Sequence, residues 1–127
     1  RLRNAILSPD GRQLAYYMAG ARDPELNGMW LLRIDAPNVE PVKLGFFGAF
    51  RWRDADRLFF IPLKADAPST ELWQLDTRTG REQLVIPAIP ESPFKIANGD
   101  WDVSADGRKI AYLSAKDRNV WVAQLPD

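Results

Sequence analysis

One nine-residue phrase occurs twice in this chain, and a worn copy lies midway between the two. Ser8-Pro9-Asp10-Gly11-Arg12-Gln13-Leu14-Ala15-Tyr16 returns as Ser104-Ala105-Asp106-Gly107-Arg108-Lys109-Ile110-Ala111-Tyr112. The middle copy, Trp52-Arg53-Asp54-Ala55-Asp56-Arg57-Leu58-Phe59-Phe60, lacks the glycine and is one residue shorter. Copies at a spacing of roughly 48 residues restrict the chain to a repeat architecture, in which each repeat is one supersecondary unit packed on the next.

Each copy predicts the same series of short strands. A first strand precedes the turn: Ala5-Ile6-Leu7, Ala49-Phe50-Arg51-Trp52 and Trp101-Asp102-Val103. The turn is Pro-Asp-Gly, Asp-Ala-Asp or Ala-Asp-Gly. Asp bonds its own backbone and Gly takes positive φ, so such turns join antiparallel strands tightly. The second strands, Leu14–Met18, Leu58–Ile61 and Ile110–Leu113, read as apolar on both faces, as in a sheet sandwiched between others. Third strands follow a variable loop at Met29–Ile34, Leu72–Leu75 and Val120–Leu125. The fourth are more polar and suit an outer edge: Val39–Leu44 and Arg81–Ile86. No helical stripe competes, and the Pro and Gly residues sit mostly between the runs. Ile86 to Asn98, with Pro87, Pro90 and Pro93, reads as an extended surface loop.

This pattern resembles the TolB-like β-propeller repeat, also found in the propellers of prolyl oligopeptidase relatives. It covers nearly the whole chain. The resemblance implies an all-β segment of about three four-stranded antiparallel blades: blade one 1–45, blade two 46–86, and blade three 94–127 without its last strand. Propellers close with typically four to eight blades, so something is expected to cover the open faces. The start at Arg1 and the stop at Asp127 favour missing blades in a longer native chain. A second copy, completing a six-bladed homodimer, and another subunit are the alternatives.

Composition narrows the chemistry. The chain has neither Cys nor His. Cys nucleophiles, Ser-His-Asp triads, His bases and Cys/His zinc sites are therefore excluded within it. Lys and Arg (17) balance Asp and Glu (17), so charge supplies no reason to expect nucleic acid. No apolar run approaches the roughly 18 residues of a transmembrane helix, and direct membrane insertion is not expected. No cofactor is expected.

Several constellations belong to the scaffold. Asp102, Ser104 and Asp106 match the first half of a calcium loop, D-x-S-x-D-G, but Leu113 stands where the bidentate Glu is required. A hairpin turn explains them. Asp54 and Asp56 are turn acids too, and Asp100 with Asp102 forms a second carboxylate pair of the kind glycoside hydrolysis uses. Ser8 and Ser104 lack a base and a strand-to-helix elbow. The five Trp fall on first and third strands, where core packing is favoured over a binding platform.

The segments that the repeat does not dictate are the binding candidates. The loops after second and fourth strands share one face of a propeller. They are Gly20–Gly28 with Arg22, Asp23 and Glu25; Gly45–Gly48 with Phe46 and Phe47; Lys64–Thr70; and Ile86–Asn98 with Phe94 and Lys95. Exposed aromatic and Arg residues are what interface hot spots favour. The expected function is a non-catalytic module binding a protein partner through this loop face. The resemblance implies an extracytoplasmic setting. The alternatives are the substrate-gating propeller of a prolyl-oligopeptidase-like hydrolase, with its catalytic residues outside this chain, and a carbohydrate-binding propeller.

Overall fold

A computed structural model describes residues 2–36, 38–63 and 69–127. Among these residues the chain is all-β, with eleven strands in three antiparallel sheets of four, four and three. The first sheet comprises β1 (Leu2–Leu7), β2 (Gln13–Met18), β3 (Gly28–Arg33) and β4 (Val42–Lys43). The second comprises β5 (Gly48–Trp52), β6 (Arg57–Pro62), β7 (Leu72–Asp76) and β8 (Glu82–Ile86). The third comprises β9 (Ile96–Val103), β10 (Lys109–Ser114) and β11 (Val120–Gln124). Every sheet is a meander whose strands lie in chain order. Among the described residues no helix is long and apolar enough to cross a membrane.

The repeated phrase makes the first hairpin of each sheet, and its side chains say why. In copy one, Ser8 Oγ donates to Asp10 Oδ1 at 2.7 Å and accepts from Gln13 N at 3.1 Å. Asp10 Oδ1 also accepts from Arg12 N. Copy three repeats every bond: Ser104 Oγ to Asp106 Oδ1 at 2.6 Å, Lys109 N to Ser104 Oγ at 2.9 Å, Arg108 N to Asp106 Oδ1 at 3.0 Å. Gly11 and Gly107 hold φ of +72° and +71°, the left-handed region that an L side chain enters at a cost. The middle copy manages with one residue fewer. Arg53 N bonds Arg57 O, and Asp54 Oδ1 accepts from the N–H groups of Asp56 and Arg57.

The chain divides into two compact units, Arg1–Phe47 and Gly48–Asp127. In the first, Ala15, Met29 and Leu31 are buried, and β2 pairs with β3 through Leu14↔Leu32, Ala15↔Leu31 and Tyr16↔Trp30. The second unit holds two sheets around one core of Phe59, Leu72, Phe94, Trp101, Ile110 and Tyr112, closed by Leu125. Arg53 ties the same two sheets together. Its guanidinium lies 5.0 Å from the Phe59 ring, donates to Gln74 Oε1 at 2.7 Å and bonds the carbonyl of Pro126. Burial disfavours its charged form and is the main cause of a lowered pKa.

The structure departs from the sequence reading in four places. Only β6 buries consecutive residues, Leu58, Phe59 and Phe60; β10 alternates, with Ile110 and Tyr112 buried and Lys109 and Ala111 exposed. A strand covered on one face needs apolar residues only at every second position. The fourth strand of the first sheet is just Val42–Lys43, and Val39 lies outside it, exposed. A single 3-10 turn, Pro24–Leu26, occupies the loop from Gly20 to Gly28. The connection after β8 is not a surface loop throughout. It drives Phe94 into the core at 2% exposure, edge-on to Tyr112 with ring centroids 4.9 Å apart.

Candidate functional site

The second unit carries a cleft of about 340 Å³ at one end of its two sheets. Strand ends build it. Gly48 and Ala49 start β5, Ile61 and Pro62 finish β6, and Ser69, Thr70 and Glu71 lead into β7. Lys95, Ile96 and Trp101 supply the wall from β9 and the residue before it. The β6–β7 and β8–β9 connections therefore meet at this cleft. These are the connections that the sequence singled out as a loop face.

The connection after β8 is locked by backbone and hydroxyl bonds. Thr70 N donates to Phe94 O at 2.7 Å, Ala115 N to Lys95 O at 2.6 Å, and Ser114 Oγ to Pro93 O at 2.6 Å. Thr70 Oγ1 accepts from Ile96 N at 3.2 Å. Phe94 under the cleft and Lys95 on its wall are thus adjacent residues with opposite fates. The buried ring anchors the segment and the ammonium stays exposed.

The wall carries donors and acceptors: the hydroxyls of Ser69 and Thr70, the Glu71 carboxylate and the Lys95 ammonium, with the Trp101 indole beside them. Trp101 is buried, its ring faced by the Arg51 guanidinium 5.0 Å from the centroid. Arg51 is held by the carbonyls of Phe50 at 2.8 Å and Gly99 at 3.4 Å. Glu71 Oε2 accepts from the indole N–H of Trp73 at 2.8 Å. Ser69 Oγ and Trp101 Nε1 are buried with no hydrogen-bond partner among the described residues.

The other expected site residues fall elsewhere. Arg22, Asp23, Glu25, Phe46 and Phe47 belong to the first unit. Asp23 caps the 3-10 turn by accepting from Glu25 N at 3.0 Å, and the Glu25 carbonyl accepts from Lys43 Nζ at 2.8 Å. Arg22 is exposed. Phe47, 47% exposed, meets Tyr17 edge-on at 5.1 Å, while Phe46 is half-buried. Of the loop Lys64–Thr70, residues 64–68 lie outside the described residues. Phe94 is no contact residue, because an aromatic ring this large is worth more in the core than in water.

The calcium half-motif is the hairpin turn already described. Asp106 is occupied by Ser104 and Arg108 N, and Asp102 Oδ1 accepts from Val103 N at 2.8 Å. Ser104 is the main cause that holds the Asp106 carboxyl below its ordinary 3.8. No group of three or more His, Cys, Asp or Glu side chains suited to a metal occurs among the described residues. Of the second carboxylate pair, Asp102 stands opposite Ala111, and Asp100 lies in the irregular stretch of β9 between the paired residues Ile96 and Trp101.

Sequence reasoning included Ser69 only as part of the loop Lys64–Thr70, and it missed Glu71 and the Arg51–Trp101 pair. Arg51 offered a signal, a cation inside an apolar first strand. No protein-family model matches the chain, and no curated protein matches its sequence.

Proposed function

We propose that this chain is a segment of a TolB-like β-propeller that acts as a non-catalytic module, binding a protein partner through its loop face. The propeller reading rests on three successive meanders, each opened by a copy of one hairpin phrase, with two of the sheets sharing a core. The missing blades, a second copy or another subunit complete the ring, and the setting is extracytoplasmic.

The cleft carries the binding part of this reading. It is concave and mainly apolar, with a few polar groups converging on it, and it lies where the non-repeating connections meet. The chain has no His or Cys to act as base or thiol nucleophile. Binding is therefore the chemistry these residues support best.

The test is selection of a displayed peptide library on the wild-type chain, with counter-screening on Ala88→Trp, which fills the cleft. The expected result is a family of peptides that bind wild type and lose binding to the filled variant. Peptides indifferent to the filling, or none enriched, would reject the cleft as the binding face.

A further inference from the structure

The third strands of the three sheets are equivalent, and only two of them are covered. Trp30, Trp73 and Trp121 stand opposite Tyr16, Phe60 and Tyr112 on the second strands. The fourth residue after each Trp donates its N–H to a carbonyl of the hairpin turn: Ile34 to Arg12 at 2.8 Å, Thr77 to Asp56 at 2.8 Å and Leu125 to Arg108 at 2.7 Å. In the first two sheets a fourth strand then runs antiparallel along the far edge, with Lys43 across from Trp30 and Leu84 across from Trp73. Leu44 N donates to Met29 O at 2.8 Å, and Asp76 N to Arg81 O at 2.9 Å. The counterparts of Met29 and Asp76 in the third sheet are Val120 and Gln124, but among the described residues that sheet ends at β11.

Bonds to β10 fall on alternate residues of β11. Ser114 N donates to Asn119 O and Leu125 N to Arg108 O, so with Tyr112 opposite Trp121 the residues bonded to β10 are Asn119, Trp121, Ala123 and Leu125. Val120, Val122 and Gln124 therefore turn their N–H and C=O groups to the open edge. Val120 and Val122 are 74% and 62% exposed. Trp121, its indole held by Asp117 at 2.9 Å, is exposed where Trp30 and Trp73 are half-buried. Sheet edges are normally blunted by charge, proline or a bulge. Every other edge strand here is: β1 bulges between Arg3 and Ile6, β4 carries Lys43, β5 Arg51, β8 Glu82, and β9 Asp100 and Asp102. β11 has neither charge nor proline and pairs with β10 in unbroken register.

We propose that the open edge of β11 takes up an extended segment of a partner polypeptide as its fourth antiparallel strand, with Leu or Lys across from Trp121. The two fourth strands of this chain define what fits, because they continue the same edge of equivalent strands. Main-chain bonds to Val120, Val122 and Gln124 supply the attachment, and alternate side chains supply selectivity. A second copy fits less well. Pairing β11 on itself about Val122 puts Ala123 across from Trp121, a side chain too short to cover the ring. This edge is separate from the cleft, and the inference goes beyond the loop-face reading without needing it.

The experiment follows backbone amide exchange in the 15N-labelled chain. The probe is acetyl-Arg-Glu-Gln-Leu-Val-Ile-amide, the sequence of Arg81–Ile86, which carries Leu at the required place. In the free chain the Trp121 and Ala123 amides are expected to exchange slowly, and those of Val120, Val122 and Gln124 fast. The peptide is expected to slow the fast set saturably. N-methylation of its Gln, the counterpart of Gln83 across from Gln74, keeps every side chain but removes a main-chain donor. That change weakens binding about tenfold, the loss of one hydrogen bond. Val122→Pro removes an outward donor and spares the bonds to β10. It abolishes uptake while the Trp121 and Ala123 amides stay slow, which shows that the variant is folded. Outward amides that the peptide leaves fast overturn the proposal, as does equal binding of the N-methylated peptide. Outward amides already slow without peptide overturn it too, and a dimer in light scattering would then assign the edge to a second copy. Loss of uptake in Ala88→Trp would place the peptide in the cleft and defeat the edge. Uptake unchanged by that filling supports the edge, whatever the library selection says of the cleft.

Discussion

The two ends of the sheets in the second unit obey different rules. At one end, the hairpin from Ser104 to Lys109 reproduces the hairpin from Ser8 to Gln13 bond for bond. The repeated Ser and Asp side chains there are spent on their own turn. At the other end, the connections into β7 and β9 share no residue pattern, and beside local bonds such as Phe94 N to Ser92 Oγ they bond across the chain, as Thr70 N does to Phe94 O. Thr70 and Glu71 meet Lys95 at the cleft from a distant position in the chain, and Ser69 Oγ and Trp101 Nε1 have no hydrogen-bond partner among the described residues. Repetition thus marks the residues that make the turns, and the cleft is lined by residues outside the repeated phrase.

The comparison breaks first at Phe94, which anchors the non-repeating end. Phe94→Ala empties a ring from the core and is expected to cost about 3–5 kcal/mol of unfolding free energy in urea denaturation. A loss below about 1 kcal/mol, the range of an exposed position, would mean that the connection is not held by its buried ring. At the repeated end, Gly107→Ala and Gly11→Ala impose the same left-handed strain of about 1–2 kcal/mol. A Cβ on Gly107 would in addition stand 2.9 Å from the Arg53 carbonyl, whereas nothing lies within 4 Å of one on Gly11. Gly107→Ala is therefore expected to be the more damaging of the two, and equal losses would show that the turn does not rest on Arg53.

The smallest effect concerns protons. Hydrogen bonds from Ser8 and Ser104 hold the Asp10 and Asp106 carboxyls below their ordinary 3.8. A carboxyl with a depressed folded pKa contributes stability above its unfolded value, and that contribution is lost as pH falls through the folded pKa. Ser104→Ala is expected to raise the Asp106 titration midpoint toward 3.8 without moving that of Asp10, followed by carboxyl NMR. Parallel shifts in both would contradict two separate, self-contained turns.

Most of the strand order was legible, because short apolar runs separated by Asp-containing turns leave few alternatives. Each expected strand has its counterpart in the sheets, even where the middle phrase lost its glycine, since Asp54 replaces the Ser and Asp pair by capping two N–H groups alone. Lys95 was legible as a loop residue outside the repeat. Its neighbour Phe94 was misread for the same reason, since a loop between prolines does not announce which side chain turns inward.

The sequence by itself determined the meander, the turns and the division into repeats, all of which depend on contacts a few residues apart. Only the tertiary structure decided that Arg53 joins two sheets, that Phe94 is core, and that Ser69 and Trp101 share a cleft. Those outcomes depend on which strand ends come to lie side by side. That is settled by burying Phe59, Ile110 and Tyr112 in one interior, a many-body packing condition that no local pattern encodes.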